Sequence, residues 1–296
     1  MATQGKDVRI SLLLSLALIS CVANGADHLA PRRLLTNLCT FDVTHQGVKA
    51  GAGQCKQNAV ALTKVWVQAC QSVAPAKVLI PPGTFEMSAV VLEGPCKNPI
   101  IFEIQGTLKA DTDKNVYKDR TWFSFEGIDG LQVTGRGTFD GQGPTFCIGS
   151  LGKYQDEKNV NKVLVTDSKF TGTTNGARIK TWLNSPNLKA TAITFQNLVM
   201  DMVKNPIVID QEYGSKSPVP SNVQLSDIHF RNITGTSTSE ATVNVMCSKK
   251  FPCCVDMANI NLVYKGADKQ SEKFQCANAK LTFTGKQNPA PCPCRQ

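Results

Sequence analysis

Beyond residue 75 the apolar positions of this chain fall in short alternating runs, separated by Gly, Asn, Asp, Ser and Thr. Alternation with a period of two puts every second side chain on one face, as in a strand with one buried side. The runs also repeat. The segment "VLVTDSKFTGTTNGARIK" from Val163 lies over "ITFQNLVMDMVKNPIVID" from Ile193 without a gap. Val163 then meets Ile193, Val165 meets Phe195, Asn175 meets Asn205 and Ile179 meets Ile209. A third copy from Ile228 follows with a slip of one residue in its second half. Partial copies precede them ("IIFEIQGTLKA", "LQVTGRGTFDG") and one follows ("INLVYKG"). No such unit buries its own apolar face, but a stack of them buries a continuous core. The predicted fold is all-β, a parallel β-helix. A propeller or sandwich also uses many short strands, whereas a doubly wound sheet needs helices that this pattern lacks. The gapless repeat and the Asn-rich turns favour the solenoid.

One segment has another period. Residues Gln54 to Cys70 carry Ala59, Leu62, Val67 and Cys70, with Trp66 nearby, at helical spacing. That helix would cap the open N-terminal end, where free backbone groups otherwise invite edge pairing.

Composition adds a location and a charge. The chain has 296 residues, 42% hydrophobic and 19% charged, with a net charge of +9. Such a balance suits a globular domain and an anionic partner: an acidic polysaccharide, nucleic acid or a membrane surface. Solubility alone is the plainer reading of the charge. Lys6 and Arg9, the apolar run Ile10 to Val22 and the small residues ending at Gly25 read as a signal peptide over residues 1–25. A membrane anchor is the alternative, but the run is short for a span. Residues 26–40 then form a leader segment and 41–296 a single domain, secreted and free of the membrane. Secretion suits disulfides, and 12 cysteines are present. The clusters "CSKKFPCC" and "CPC" have no His nearby, so disulfides are expected there rather than a metal. Removing Cys21 with the leader makes the count odd, which leaves at least one thiol without an intramolecular partner.

Arg178 and Lys180 sit two apart in the β-rich stretch "NGARIKTW". In a strand they share a face and repel, so an anion is expected beside them.

The segments "GTFDGQG" (Gly137 to Gly143), "GSLGKY" (Gly149 to Tyr154), "NGARIKTW" and "IDQEY" (Ile209 to Tyr213) resemble the polygalacturonases. The resemblance runs from about Phe41 to Cys292 and is strongest to the plant, exo-acting, pollen-type members. It implies a right-handed parallel β-helix that hydrolyses α-1,4-galacturonan, the backbone of cell-wall pectin, as a monomer without a cofactor. It further implies that Arg178 and Lys180 hold galacturonate carboxylates and that Tyr213 helps shape the subsites. For Tyr213 a packed aromatic in a rung turn is the alternative. The disulfides implied are Cys70 with Cys96, Cys247 with Cys253 and Cys276 with Cys292. Cys39, Cys55, Cys147, Cys254 and Cys294 remain unassigned.

The chemistry the family needs is missing from the sequence. Inversion at a glycosidic bond requires an acid and a base on opposite sides of it. The family supplies them from Asn-Thr-Asp and Gly-Asp-Asp motifs, supported by Gly-His-Gly, and none of the three occurs here. The three histidines are His28, His45 and His229. His28 and His45 precede the repeat, and His229 is expected to be structural. Where the family places several rungs between "FDGQG" and "GSLGKY", this chain has only Pro144 to Ile148. A block of rungs is therefore expected to be absent, close to in phase because Val133 and Val165 lie about one repeat apart. Pro144 to Asn161 is then expected as a long loop on the cleft side. After "IDQEY" the family often continues Cys-Pro, and here Gly214 and Ser215 follow. Asp140, Asp156, Glu157, Asp210 and Glu212 are the acids that could substitute, and each reads first as structural or solvated. No catalytic residue is assigned.

The resulting expectation is a polygalacturonase-family chain without hydrolytic activity. The alternative is a non-catalytic pectin-binding protein. A lyase on the same fold ranks lower, because no acidic cluster for calcium is present. Nucleic-acid binding has no motif to support it. "NIT" at Asn232 is a possible glycosylation sequon.

Overall fold

The computed structural model describes residues 20–22, 38–117, 121–214, 217–267 and 270–293. Most of the expected signal peptide, His28, Ser215 and Cys294 lie outside them. Ser20–Val22 pairs antiparallel with Leu38–Asp42, and every other strand pairing is parallel.

The strands form two stacks, one of 13 strands that includes Ser20–Val22 and one of seven. The expected repeats are rungs of the stack. Val163 pairs with Ile193 and Val165 with Phe195, while Asn175 pairs with Asn205 and Ile179 with Ile209. The third copy pairs Ile193 with Ile228 and shifts register between Met200 and Val203. Val133 pairs with Val165, so consecutive rungs meet in phase across this region. The chain is thus a parallel β-helix. Stacking puts like residues over like, and the core holds aromatic columns such as Phe139 on Phe170 and Phe195 on Phe230, each with centroids 5.2 Å apart.

The long strands of the larger sheet bend where a residue turns left-handed. Asp167, Asn197, Asn232 and Asn259 have φ between 50° and 55°. Asn and Asp tolerate this region because their short side chains bond locally. Here they bond to one another across rungs. The amide of Asn197 donates to Asp167 at 3.1 Å, that of Asn232 to Asn197 at 3.0 Å, and that of Asn259 to Asn232 at 3.1 Å. The sequon nitrogen of Asn232 is therefore a member of this ladder, and a glycan on it would compete with the bond to Asn197. Asn232→Ala is expected to cost about 2 kcal/mol, combining left-handed strain with two lost amide bonds. Urea unfolding measures it. Asn232→Gly should lose less, and an equal loss would show that backbone strain contributes nothing.

The helix spans Cys55–Cys70. It packs on the first rungs through Leu62, Val65, Trp66 and Ala69, all buried. Val67, expected inward, is 55% exposed. It lies one residue past Trp66, about 100° around the helix, and Val65 fills the face instead. The Trp66 indole N–H donates to the Glu93 carbonyl at 2.8 Å, and its ring meets Phe125 edge-on at 5.7 Å. Cys70–Cys96 ties down the end of the helix. The other two implied disulfides, Cys247–Cys253 and Cys276–Cys292, are also present. Cys39 is disulfide-bonded as well, whereas Cys55, Cys147 and Cys254 are free thiols.

The long loop expected from Pro144 to Asn161 is corrected. Thr145–Leu151 is a strand of the smaller sheet, pairing with Thr121–Glu126 on one side and Asn175–Trp182 on the other. Cys147, Ile148 and Leu151 are buried, and burying them stabilises a rung where a loop would leave them wet. Only the turn between Gly152 and Asn159 stays outside the sheets.

Candidate functional site

The smaller sheet carries the site. Its central strand, Asn175–Trp182, has Ala177 and Ile179 in the core. Arg178 and Lys180 therefore turn to the opposite face, as alternation requires. Both converge on Tyr213 from the next rung, whose strand Asn205–Tyr213 pairs with theirs. The Arg178 guanidinium lies 5.4 Å from the centre of the Tyr213 ring and the Lys180 ammonium 4.2 Å from it. The ring faces attract cations and help offset the repulsion between them. Arg178 also donates to Asp210 at 3.2 Å, and its buried Nε has no partner. Its side chain is 12% exposed and Lys180 is 4% exposed. Two cations so far withdrawn from water bind a carboxylate more strongly than surface ones would.

Further groups complete the cleft. Trp182 meets Tyr213 edge-on at 5.1 Å and donates its indole N–H to Ser150 at 2.6 Å. The Lys153 ammonium sits 5.4 Å from the Trp182 ring and 5.2 Å from that of Tyr154. A groove of about 350 Å³ is lined by Lys180, Trp182, Lys153 and Tyr154 together with Glu93 and Glu126. Its mixture of aromatic faces, ammonium groups and carboxylates is suited to a sugar polymer bearing acid groups.

Of the acids weighed from the sequence, Asp140, Glu157 and Asp210 have partners of their own, and Asp156 is exposed at the edge of the neighbouring hollow. Asp210 is the partner of Arg178. Glu157 accepts the backbone N–H groups of Gly152, Lys153 and Tyr154 at 2.6 to 2.8 Å, holding their turn. Asp140 accepts from Gln142, and Glu212 is exposed. His229 lies on the larger sheet between Asp227 and Asp256, at 2.7 and 3.3 Å. His45 sits in a single 3-10 turn at Val43–Gln46.

Sequence reasoning missed Trp182, Lys153 and Tyr154 although they stand inside quoted motifs, and it missed Glu93 and Glu126 altogether. Glu93 pairs in register with Glu126 on adjacent rungs. Burial pushes the Glu126 carboxyl above the usual range, with Glu93 and Glu157 adding to the rise; the Ser124 hydroxyl at 3.0 Å and Lys180 oppose it. Cys147 shares this sheet, and complete burial pushes its thiol up against the pull of Arg178 and Lys180.

The chain is therefore a parallel β-helix with a groove of aromatic, ammonium and carboxylate groups along one wall. Residues 70–147 and 145–290 match the profile of glycosyl hydrolases family 28, and the chain belongs to that family. An exopolygalacturonase of Platanus acerifolia is 33% identical over 369 aligned positions, covering 84% of this chain and 97% of the relative. An exopolygalacturonase of Arabidopsis thaliana is 29% identical, covering 99% and 98%, and a polygalacturonase of Brassica napus is 30% identical, covering 88% and 95%. The endo-xylogalacturonan hydrolase of Aspergillus tubingensis shares the fold, with a TM-score of 0.50 at 17% identity over 84% of this chain and 74% of that one.

Proposed function

We propose that this chain binds the galacturonan backbone of pectin without cleaving it. The observation that carries the reading is the convergence of Arg178 and Lys180 on Tyr213, beside a groove whose adjacent carboxyls, Glu93 and Glu126, share one wall. A glycosidic bond is hydrolysed with inversion by two carboxyls on opposite sides of it, roughly 6.5–9.5 Å apart. Glu157, which also lines the groove, is held by the backbone N–H groups of its own turn, and the other two carboxyls, Glu93 and Glu126, stand on neighbouring rungs of one wall, where strands are about 4.8 Å apart. They do not flank a bond laid along the groove.

A block of family rungs is missing between Gly143 and Gly149. In support, the family profile matches in two pieces that meet at residues 145–147. The alignment to the Platanus relative is also far longer than the part of this chain it contains. The protein works outside the cell as a monomer, delivered by residues 1–25. Its disulfides support that compartment. Among the described residues no helix is long and apolar enough to cross a membrane.

Purified protein incubated with polygalacturonate is expected to release no reducing ends above a buffer blank. It is expected to be retained on immobilised polygalacturonate at low salt and eluted as salt rises. Sustained reducing-end release, proportional to protein and lost in Arg178→Ala, would restore the enzyme. Absence of retention at low salt would remove the binding reading.

A further inference from the structure

The groove continues past its cations toward the N-terminal rungs, and its charge changes sign. Ile148 pairs with Phe125 on one side and with Ile179 on the other. That register sets Gly149 between Glu126 and Lys180. Ser150, next along the strand, lines both the groove and the hollow beside it and accepts the Trp182 indole N–H. Two rung spacings separate the strands of Glu126 and Lys180, roughly 9.5 Å, comparable to the span of two linked sugar rings.

The acidic side is a hollow of its own. A volume of about 390 Å³ is lined by Glu93, Glu126, Asp156 and Glu157, with Tyr154 and Lys158. It shares Glu93, Glu126, Tyr154 and Glu157 with the groove that holds Lys180 and Trp182. The charged groups around Glu126 are therefore Glu93, Glu157 and Asp156 on the acidic side, where Lys158 also lines the hollow, with Lys180 and Lys153 beyond them. Glu157 is fixed by three backbone N–H groups, so it cannot swing away. An ionised uronate lying on this half meets like charges in a partly dehydrated setting. A uronate whose carboxyl is a methyl ester meets none. Its ring hydroxyls donate to the Glu93 and Glu126 carboxylates, and its methyl group packs on the half-exposed Tyr154 ring.

We propose that this cleft prefers partly methyl-esterified galacturonan to the fully de-esterified polymer. Glu126 selects an uncharged unit on its side, while Arg178 and Lys180 hold an ionised one on theirs. The inference rests on the galacturonan-binding reading above and names which form of that polymer the site takes. The raised position of the Glu126 carboxyl adds a pH dependence: as pH falls it becomes neutral before an ordinary glutamate does, and the discrimination fades.

The test measures dissociation constants for pectin with about half its units esterified and for polygalacturonate, at pH 7 and pH 5 in dilute salt. Wild type is expected to favour the esterified polymer about fivefold at pH 7 and by less at pH 5. Glu126→Gln is expected to bind polygalacturonate about threefold more tightly at pH 7 and to show a smaller preference than wild type, the remainder coming from Glu93, Asp156 and Glu157. Glutamine keeps the shape and the neighbour Ser124. Because the folded carboxyl titrates above its unfolded value, charged Glu126 opposes folding as pH rises through that folded value. The variant should therefore melt at or above wild type at pH 7, and a binding change is not a folding defect. An unchanged polymer ratio in a folded, binding Glu126→Gln chain overturns the inference and leaves the galacturonan reading standing. Equal binding of the two polymers by wild type at pH 7 does the same. If wild type binds neither polymer, both readings fall together.

Discussion

Arg178→Ala is expected to weaken binding of polygalacturonate by about 30-fold or more at low salt. Truncating one member of a buried charged contact costs roughly 2–5 kcal/mol. Arg178 meets the conditions for that range: it is 12% exposed, and its Nε still has a hydrogen to give. Part of its charge is answered by Asp210 at 3.2 Å. The loss in the variant therefore has two sources. The ligand loses a two-pronged donor, and Asp210 stays near the groove as an anion whose cation is gone. Arg178→Lys should recover part of the affinity, since a point charge remains but the fork does not. Calorimetric titration with galacturonate oligomers gives the numbers. Alanine and lysine variants that both bind like wild type would mean that the anion sits elsewhere, and the cationic pair would then be a structural feature of the rung. Double replacement of Arg178 and Asp210 separates the two sources, because it removes the uncompensated carboxylate.

Trp66→Ala is expected to lower stability by about 3–5 kcal/mol, the range for removing a fully packed large aromatic. The ring is 1% exposed and touches both Phe102 and Phe125 edge-on. It is also the group through which the helix grips the stack. Without the indole, the Glu93 carbonyl loses its donor at 2.8 Å, and an unsatisfied buried acceptor adds to the cost. The melting midpoint should fall on the order of 10 °C for a chain of this size. Trp66→Phe should lose less, keeping the packing and giving up only the hydrogen bond. A fall under about 3 °C for the alanine variant would show that the helix is not what closes the first rung. Glu93 also lines the groove, so Trp66→Ala should disturb the acidic half of the cleft while leaving Arg178 and Lys180 in place.

The rungs were legible because of how parallel strands stack. In-register pairing sets residue i over its counterpart one rung on, and a column stays packed only if similar side chains recur. Val165, Phe195 and Phe230 obey this, and their spacing in the chain is the rung itself. The helix was legible for a similar local reason, although Val67 shows that a face one residue wide of the truth still satisfies a loose helical count. The rung at Thr145–Leu151 was not legible. Glycine and proline flank it, and its strand character comes from the neighbours on either side rather than from its own seven residues.

From residue types and spacing alone come the solenoid, the capping helix and the shared face of Arg178 and Lys180, while the lack of catalytic motifs is legible only through the family resemblance. The first three are properties of neighbours in the chain or of exact repeats, and local geometry with a period of 2 or 3.6 transmits them directly. The tertiary structure alone decided what faces the cations. Glu93, Glu126 and Lys180 lie in separate rungs, and each by itself reads as a solvated charge on a strand. Only the winding of the helix stacks them along one groove. There, burial and mutual repulsion change what a carboxylate does.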